Sequence, residues 1–560
     1  MLVAPFLPFF IAALLVVLVP GRARSVIMLA TPVLGGLGLL GLEEGIYFGQ
    51  VFLGFDLAPV RVDRLSLLFG YLFHIAAFIG IVYSLHLRDR VQHVAGLVYA
   101  GSALGAVFAG DFMTLFVFWE LMAVSSVFLI WARRTERAMA AGFRYLIIQV
   151  LSGFLLLAGA LLYFYQTGTL AFDYIGLAGP AAWLIFIAFG IKCAFPLLHN
   201  WLTDAYPEAT PTGTVFLSAF TTKVAVYALV RGFPGTEMLI YIGATMTVFP
   251  IFFAVIENDL RRVLTYSIVN QLGFMVVGIG IGTELALNGT VSHVFSHVIY
   301  KCLLMMSMGA VLHMTGRMNG SDLGGLYKSM PITTGLCIVG AASISAFPLF
   351  SGFVSKSMVM AAALEEGYTW VWLALLFASA GVFHHAGIKI PYFAFFAHDV
   401  GIRTTEPPKN MLIAMGIAAA LCIAIGSYPW WLYALLPFDT GYVPFDATHV
   451  VAQMQLLFFS ALAFAWLNLS GRYPPELPSV NIDAEWIYRR FLPRAIHRAG
   501  AVVARIDHRA RQRIVGTTYR LIDNAAARYG PRSQAASAWP TGRMILIVVA
   551  MLGVYVLMTL

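Results

Sequence analysis

Eight ionisable side chains stand inside apolar runs of this sequence: Glu120, Lys192, Lys223, His293, His297, Lys301, Lys356 and Lys389. A charged residue at the centre of a bilayer helix costs roughly 2.5–3.5 kcal/mol on insertion scales, so such residues face protein or water and usually carry function. Glu120 is the lone carboxylate of "LFVFWELMAVSS". Its natural partner is Lys192 in "AFGIKCAFPLLHNW", because a buried lysine's hold on its proton depends on how near a carboxylate stands. An ion pair that only fixes packing is the plainer alternative. Lys223 falls mid-run in "SAFTTKVAVYALVR". In "SHVFSHVIYKCLLMMS", His293, His297 and Lys301 follow at i, i+4 and i+8 and so line one helical face. Histidine changes charge near neutrality, so such a stripe can pass protons through water. Two histidines one turn apart also suit zinc, but no carboxylate or cysteine is placed to complete that set. "FSGFVSKSMVM" supplies Lys356, and "GVFHHAGIKIPYFAFF" supplies His384, His385 and Lys389. The set is rich in proton-exchanging groups and poor in carboxylates. It reads as a proton pathway, with no metal and no cofactor expected.

The elements that must position these groups follow from composition. Of 560 residues, 60% are apolar and 11% charged, and apolar runs of about 20 residues recur, the length of a bilayer-spanning helix. About sixteen candidate spans result: 2–20, 25–43, 65–87, 91–110, 111–131, 138–165, 180–199, 211–231, 237–256, 263–282, 285–312, 331–362, 370–396, 410–436, 450–470 and 541–560. Alternating the loops gathers Arg22, Arg24, Arg88, Arg90, Arg133, Arg134, Arg137, Arg261, Arg262, Arg317, Lys328, Arg403 and Lys409 on one face. The other face receives Arg61, Arg64 and Arg231. By the positive-inside rule both termini lie on the non-cytoplasmic side of the cell's inner (plasma) membrane. The opening run lacks a basic n-region, which argues for a first span and against a cleaved signal peptide. Cys193, Cys302, Cys337 and Cys422 are scattered through apolar segments and read as small core residues. "GIGIGTE" follows no strand, so it is not a dinucleotide loop. His74, His86, His199 and Asp111 sit near span ends and read as interfacial, or as pathway mouths.

From Asp483 to Gly530 the pattern changes. Ile496, Val503, Ile506, Ile514 and Leu521 recur at helical spacing among many arginines, the mark of a basic amphipathic helix lying along a membrane surface. Pro493, Gly500 and Gly516 are expected to break it. A cytoplasmic helical hairpin is the alternative. There is also a repeat: "CAFPLL" (193–198) returns as "SAFPLF" (345–350), each near a lysine and each in the fourth span of a five-span block. An odd number of spans sets the two blocks in opposite orientations, and interrupted helices in inverted repeats are where transporters build ion sites. The domains expected are therefore 1–90 (three helices), 91–231 and 237–396 (the inverted five-helix repeats), 410–470 (two helices), 483–530 (lateral helix) and 541–560 (final span). The fold class is an all-α polytopic membrane protein of about 16 transmembrane helices, broken at helices 7 and 12.

"FWELM", "GIKCAFPLLHNWLTDA", "TTKVAVYALVR", "SHVFSHVIYKCLLMMS", "FSGFVSKS" and the closing "DAEWIYRR" together resemble the antiporter-like subunit family. That family includes the D-type subunit of Mrp-type multisubunit Na+/H+ antiporters and the large proton-pumping subunits of respiratory complex I. The resemblance is strong over about residues 60–400 and architectural at the C-terminal end. It implies that Glu120 and Lys192 form the essential pair, that Lys223, His293, His297 and Lys301 relay, and that Lys356 lies near an outlet. Lys389, with His384 and His385, is less usual for the family and leaves the outlet open between Lys356 and Lys389. It also implies a subunit working only beside other integral membrane subunits, moving protons and, through the complex, sodium. The alternatives are a proton-pumping subunit of an NADH–quinone oxidoreductase assembly, the proton-driven energising subunit of an inorganic-carbon uptake complex, and a membrane scaffold with a vestigial channel. No nucleic-acid partner is expected, and the chain is not catalytic by itself.

Overall fold

Short acceptor side chains set where the helices begin. Asp63, Asp111, Thr135 and Asp259 each precede an apolar run and accept from a backbone N–H of its first turn, at 2.9, 2.7, 3.1 and 2.9 Å. Each such cap is worth about 1 kcal/mol. The computed structural model of the chain describes residues 3–52, 54–477, 481–533 and 536–560. Residue 2, the predicted start of the first span, lies outside the described residues. Two units are present, Met1–Asn481 and Ile482–Leu560.

The larger unit opens with α1 (Leu7–Leu18) and α2 (Gly21–Leu39). Four short strands follow: β1 (Gly45–Tyr47), β2 (Gln50–Phe52), β3 (Phe55–Leu57) and β4 (Val60–Val62). β1 pairs antiparallel with β4, and β2 with β3. This corrects the all-helical expectation. "IYFGQVFLGFDLAPVRV" alternates β-branched and aromatic residues between turn glycines, which favours strands. A loop outside the bilayer is free to form them.

Next come α3 (Arg64–Ser84), α4 (Arg90–Phe108), α5 (Phe112–Trp131), α6 (Glu136–Thr167), α7 (Gly179–Lys192), α8 (Asn200–Ala205), α9 (Gly213–Ala219) and α10 (Thr221–Gly232). A second series runs α11 (Glu237–Ile256), α12 (Leu260–Ile281), α13 (Glu284–Thr315), α14 (Pro331–Ile344), α15 (Ser351–Glu365), α16 (Thr369–Val382) and α17 (Lys389–Pro391). π-Helical turns over Phe383–Ile388 and Tyr392–Phe396 flank α17. α18 (Lys409–Ser427), α19 (Trp430–Tyr433) and α20 (Ala447–Leu469) close the unit.

Among the described residues, twelve helical stretches are long and apolar enough to cross a membrane, and the chain is a polytopic membrane protein. The first, seventh and twelfth predicted spans fall on the shorter helices α1, α7 and α14. The second, α2, opens on Arg22 and Arg24. α13 explains how a helix with two histidines and a lysine can sit at membrane depth. Its most apolar window is entirely buried within the protein, so His293, His297 and Lys301 meet neighbouring helices and no lipid.

The two series share unusual geometry. α6 and α13 are both 32 residues long, and both end on a left-handed glycine, Gly168 (φ 75°) and Gly316 (φ 68°). α7 and α14 are both 14 residues long. Past each, the backbone breaks in the same way. Ala194 and Leu197 take φ values of 61° and 69°, and Ala346 and Leu349 take 58° and 71°. A non-glycine residue there costs roughly 1–2 kcal/mol. Phe195 N–H donates to Gly190 O at 3.0 Å and Phe347 N–H to Ala342 O at 3.1 Å, so the last turn is closed alike in both. Pro196 and Pro348 follow, and lacking an N–H neither can extend the helix.

In the smaller unit, α21 (Leu492–Tyr529) runs 38 residues without interruption, about 57 Å at 1.5 Å per residue. The expected breaks do not occur. Pro493 falls in the first turn, where a helix needs no N–H, and Gly500 and Gly516 each cost only about 1 kcal/mol inside a long helix. Ile496, Val503, Ile506, Ile514 and Leu521 are all exposed within the chain. α22 (Thr541–Thr559) follows, with no residue buried within the chain.

Candidate functional site

The break after α7 frees carbonyls, and side chains take them. Trp201 Nε1 donates to Ile191 O at 2.8 Å, and Ser152 Oγ to Ala188 O at 2.7 Å. Ser152 in turn accepts from Trp119 Nε1 at 3.0 Å, which staples α5, α6 and α7 together. At this junction Lys192, fully buried, donates from Nζ to Trp119 O at 2.6 Å and lies 4.4 Å from the centroid of the Trp119 ring. No ion pair closes between Lys192 and Glu120. The two feel each other's charge, while Glu120 Oε1 is buried without a protein partner. A carboxylate near a lysine but not clasped to it is an arrangement in which each group can change its proton without first breaking an ion pair.

Gly153 makes room for that carboxylate. A Cβ added there would overlap Glu120 Oε1. Gly153→Ala is therefore expected to push Glu120 aside and slow proton transfer roughly tenfold to a hundredfold, with the complex still assembled. Proton flux in reconstituted vesicles, against size-exclusion profiles, checks this.

Lys223 lies beyond a second irregularity, where α9 ends at Ala219 and α10 begins at Thr221. Its Nζ donates to Ser218 O at 2.7 Å and Thr222 Oγ1 at 3.0 Å. Cys193, the residue after Lys192, lies within the field of Lys223. Next comes the α13 stripe. His297 is buried with both ring nitrogens unpartnered, within reach of the charges on Lys223, Lys301, His293 and Lys356. Lys301 Nζ donates to Ser267 Oγ at 2.9 Å. Tyr300 packs on His297 with ring centroids 5.3 Å apart, and its hydroxyl donates to Gln271 Oε1 at 2.9 Å. His293 Nδ1 is 3.0 Å from Ser355 Oγ, the residue before Lys356. Lys356 donates to Ile344 O, a carbonyl of the second break, at 2.6 Å and lies over the Phe274 ring at 5.4 Å. Lys192, Lys223, His293, His297, Lys301 and Lys356 are thus buried and Glu120 half-buried, and a broken helix adjoins Lys192 at one end and Lys356 at the other.

Lys389 is placed differently. Its Nζ donates to the last carbonyls of α11 and just beyond, Val255 O at 2.6 Å, Glu257 O at 2.7 Å and Ala254 O at 3.3 Å, and pairs with Glu476 Oε1 at 2.8 Å. The π-helical turns aim it there. A cation at a helix C-terminus meets the negative end of the helix dipole. Burial pushes the Glu476 carboxyl above the usual carboxylate range, with Lys389 opposing. His385 lies within reach of the charges on both Lys301 and Lys389. Asp111 caps α5 and accepts from Ala58 N, so its carboxylate is already engaged. His74 Nδ1 is 2.7 Å from Gly70 O. His86 contacts the Asn410 amide at 3.1 Å, and His199 packs on Phe249 at 4.8 Å. Among the described residues, no three metal-ligating side chains converge.

Sequence reasoning missed Gly153, Trp119, Ser355 and Glu476. Glu476 sits in "YPPEL", whose sequence has no periodicity to mark it. Arg261, read only as a loop charge, is fully buried and clamps Pro207 O and Ala209 O, each at 3.1 Å, beyond the first break.

A family model described as "NADH:quinone oxidoreductase/Mrp antiporter, TM" matches residues 109–384, the stretch from just before α5 to His384. The chain is 30% identical over 359 residues to the D-type subunit of the Na(+)/H(+) antiporter of Alkalihalophilus pseudofirmus, covering 59% of this chain and 72% of that protein. It is 33% identical over 342 residues to the N-type subunit of the NADH-quinone oxidoreductase of Desulforudis audaxviator, covering 56% and 68%. In the solved Mrp complex from Dietzia sp., one chain superposes with a TM-score of 0.77 at 24% identity, covering 99% of this chain and 65% of that one.

Proposed function

The chain belongs to the NADH:quinone oxidoreductase/Mrp antiporter transmembrane family, and from that membership we propose that it is the proton-translocating subunit of a multisubunit cation/proton (Na+/H+) antiporter. The observation that carries the reading is the set of buried side chains Lys192, Lys223, His297, Lys301, His293 and Lys356, with half-buried Glu120 beside Lys192. Burying that many ionisable groups is costly unless protons use them. In this reading a proton reaches Glu120 and Lys192 from the arginine-rich, cytoplasmic face. It crosses by water-bridged steps past Lys223 to the histidine stripe and gathers at Lys356. The paired breaks support two repeats, which this reading takes as inverted, and the arginine-rich loops support about sixteen crossings with both termini on the non-cytoplasmic side of the inner membrane. Other integral membrane subunits complete the complex, which carries the coupled cation.

A second reading makes this chain a proton-pumping subunit of an NADH–quinone oxidoreductase assembly. The likeness to the N-type oxidoreductase chain supports it. A proton-driven inorganic-carbon uptake complex would use the same axis. Mass spectrometry of the native complex, purified through a tag on this chain, separates them. Small membrane antiporter subunits without flavin or iron–sulfur proteins are expected. Co-purifying redox subunits would move the chain to the second reading, and a zinc-dependent soluble protein to the third.

A further inference from the structure

Lys356 lines a cavity of about 180 Å³ whose facing wall includes Thr448, His449 and Gln453 from the start of α20. A single water needs roughly 10–15 Å³, so the space is large enough for several; Lys356, Ser357, Thr448, His449 and Gln453 are its polar lining, and Phe353, Met360, Leu364, Trp372 and Leu376 make much of the rest apolar. Gln453 Nε2 donates to Ser345 O, a carbonyl of the second break, at 3.0 Å. α20 is therefore anchored on the same interruption that positions Lys356. One turn earlier, His449 Nδ1 stands 2.5 Å from Asp446 Oδ2, and Asp446 caps α20 by accepting from His449 N–H at 2.8 Å. The His449 and Asp446 side chains are 35% and 45% exposed, while Lys356 is 2% exposed. The cavity thus joins a buried ammonium to an imidazole–carboxylate pair at the surface.

The other groups facing His449 are few. The Tyr442 ring lies 6.0 Å away with its hydroxyl buried and unpartnered. Burial pushes that phenol up to about 12, so it stays neutral, and Glu365 at the end of α15 adds its charge nearby. The His449 N–H holds the Asp446 carboxyl below the usual range, so Asp446 remains an anion. The preceding loop is tied to the starts of α3 and α13. Arg64 bonds Asp439 at 3.0 Å, and Asn288 exchanges hydrogen bonds with the Phe438 backbone at 2.8 and 3.1 Å. That loop lies on the face away from the arginine-rich loops.

We propose that His449, oriented by Asp446, is the group through which a proton leaves Lys356 for that face; the assignment rests on reading the axis as a proton path. The Lys356 ammonium gives a proton to cavity water, which passes one to His449 Nε2, while Nδ1–H faces Asp446. The imidazolium then releases a proton to the surface, and neutral Lys356 is reloaded from the α13 side. One O–H or N–H bond forms for each that breaks, and nothing is oxidised or reduced.

The test uses the native complex, purified through a tag on this chain and reconstituted in vesicles with an internal pH dye. A sodium gradient drives it in one arm and a potassium gradient in the other. His449→Ala is expected to lower proton flux about a hundredfold, with free imidazole in the buffer restoring much of it. If the alanine variant does not assemble, His449→Gln keeps the volume without titrating and is expected to show the same loss. Native flux in either variant overturns the assignment. So does a loss that imidazole leaves unchanged together with an unaltered pH profile in Asp446→Asn, since that marks a packing role. Lys192→Ala is run beside them. If it is inactive while His449→Ala is normal, the outlet lies elsewhere and the axis stands. If Lys192→Ala keeps native flux, the axis itself falls, and this assignment with it.

Discussion

Lys192→Ala is expected to lower proton flux through the reconstituted complex about a thousandfold, the middle of the range for removing a proton-transfer group. The geometry explains why so much rests on one side chain. Lys192 donates to Trp119 O and stands over the Trp119 ring, at the junction where α5, α6 and α7 are stapled. Glu120 lies near enough to feel its charge but accepts no bond from it. Loss of the ammonium removes both the proton carrier and the positive charge that Glu120 feels. Lys192→Arg separates these roles. Arginine keeps the charge and can still reach Trp119 O, but it does not release its proton. It is expected to assemble normally and remain inactive. Glu120→Gln, close in shape, is expected to fall with it. Native flux in Lys192→Arg would mean that position 192 carries only fixed charge.

Lys389→Met is expected to destabilise the complex by about 3–5 kcal/mol, the usual cost of stripping one partner from a buried ion pair. Glu476, whose side chain is 6% exposed, would be left as a buried anion, and three carbonyls at the end of α11 would lose a donor. The pH dependence gives the sign. Burial already raises the Glu476 carboxyl, and without Lys389 it rises further. A carboxyl whose folded value exceeds its unfolded value contributes stability that is present below the unfolded value and lost as pH rises through the folded one. The variant is therefore expected to melt lowest at neutral and alkaline pH and to recover on acidification. Adding Glu476→Gln should restore much of the loss at pH 7. Thermal melts of the purified complex across pH check each step. Proton flux in the double variant decides the further point. Native flux assigns Lys389 a structural role, whereas lost flux in a folded complex puts it on the path.

Part of this molecule was legible in the order of its residues. Apolar run length gave the membrane class, because a backbone in hydrocarbon must satisfy its own hydrogen bonds and a helix of about 20 residues is the simplest way. The cost of buried charge singled out Glu120, Lys192, Lys223, His293, His297, Lys301, Lys356 and Lys389. The prolines of "CAFPLL" and "SAFPLF" marked both interruptions, since proline acts on its own backbone and needs no neighbour. What escaped depends on distant partners. For Lys389 the sequence showed a lysine in an apolar run but not its contacts with the end of α11 and with Glu476. Gly153 looked like one glycine among many until α6 brought it against Glu120. The predicted breaks in α21 failed for the opposite reason. Two glycines in a long helix cost little, and composition alone does not weigh that cost against propagation. Residue order identifies which groups are too costly to bury without a use and where the backbone cannot stay helical, because both are local free energies. Tertiary structure alone decided which buried charge faces an open carboxylate, which is clamped, and which opens through a cavity onto His449, because those outcomes turn on distances between residues far apart in the chain.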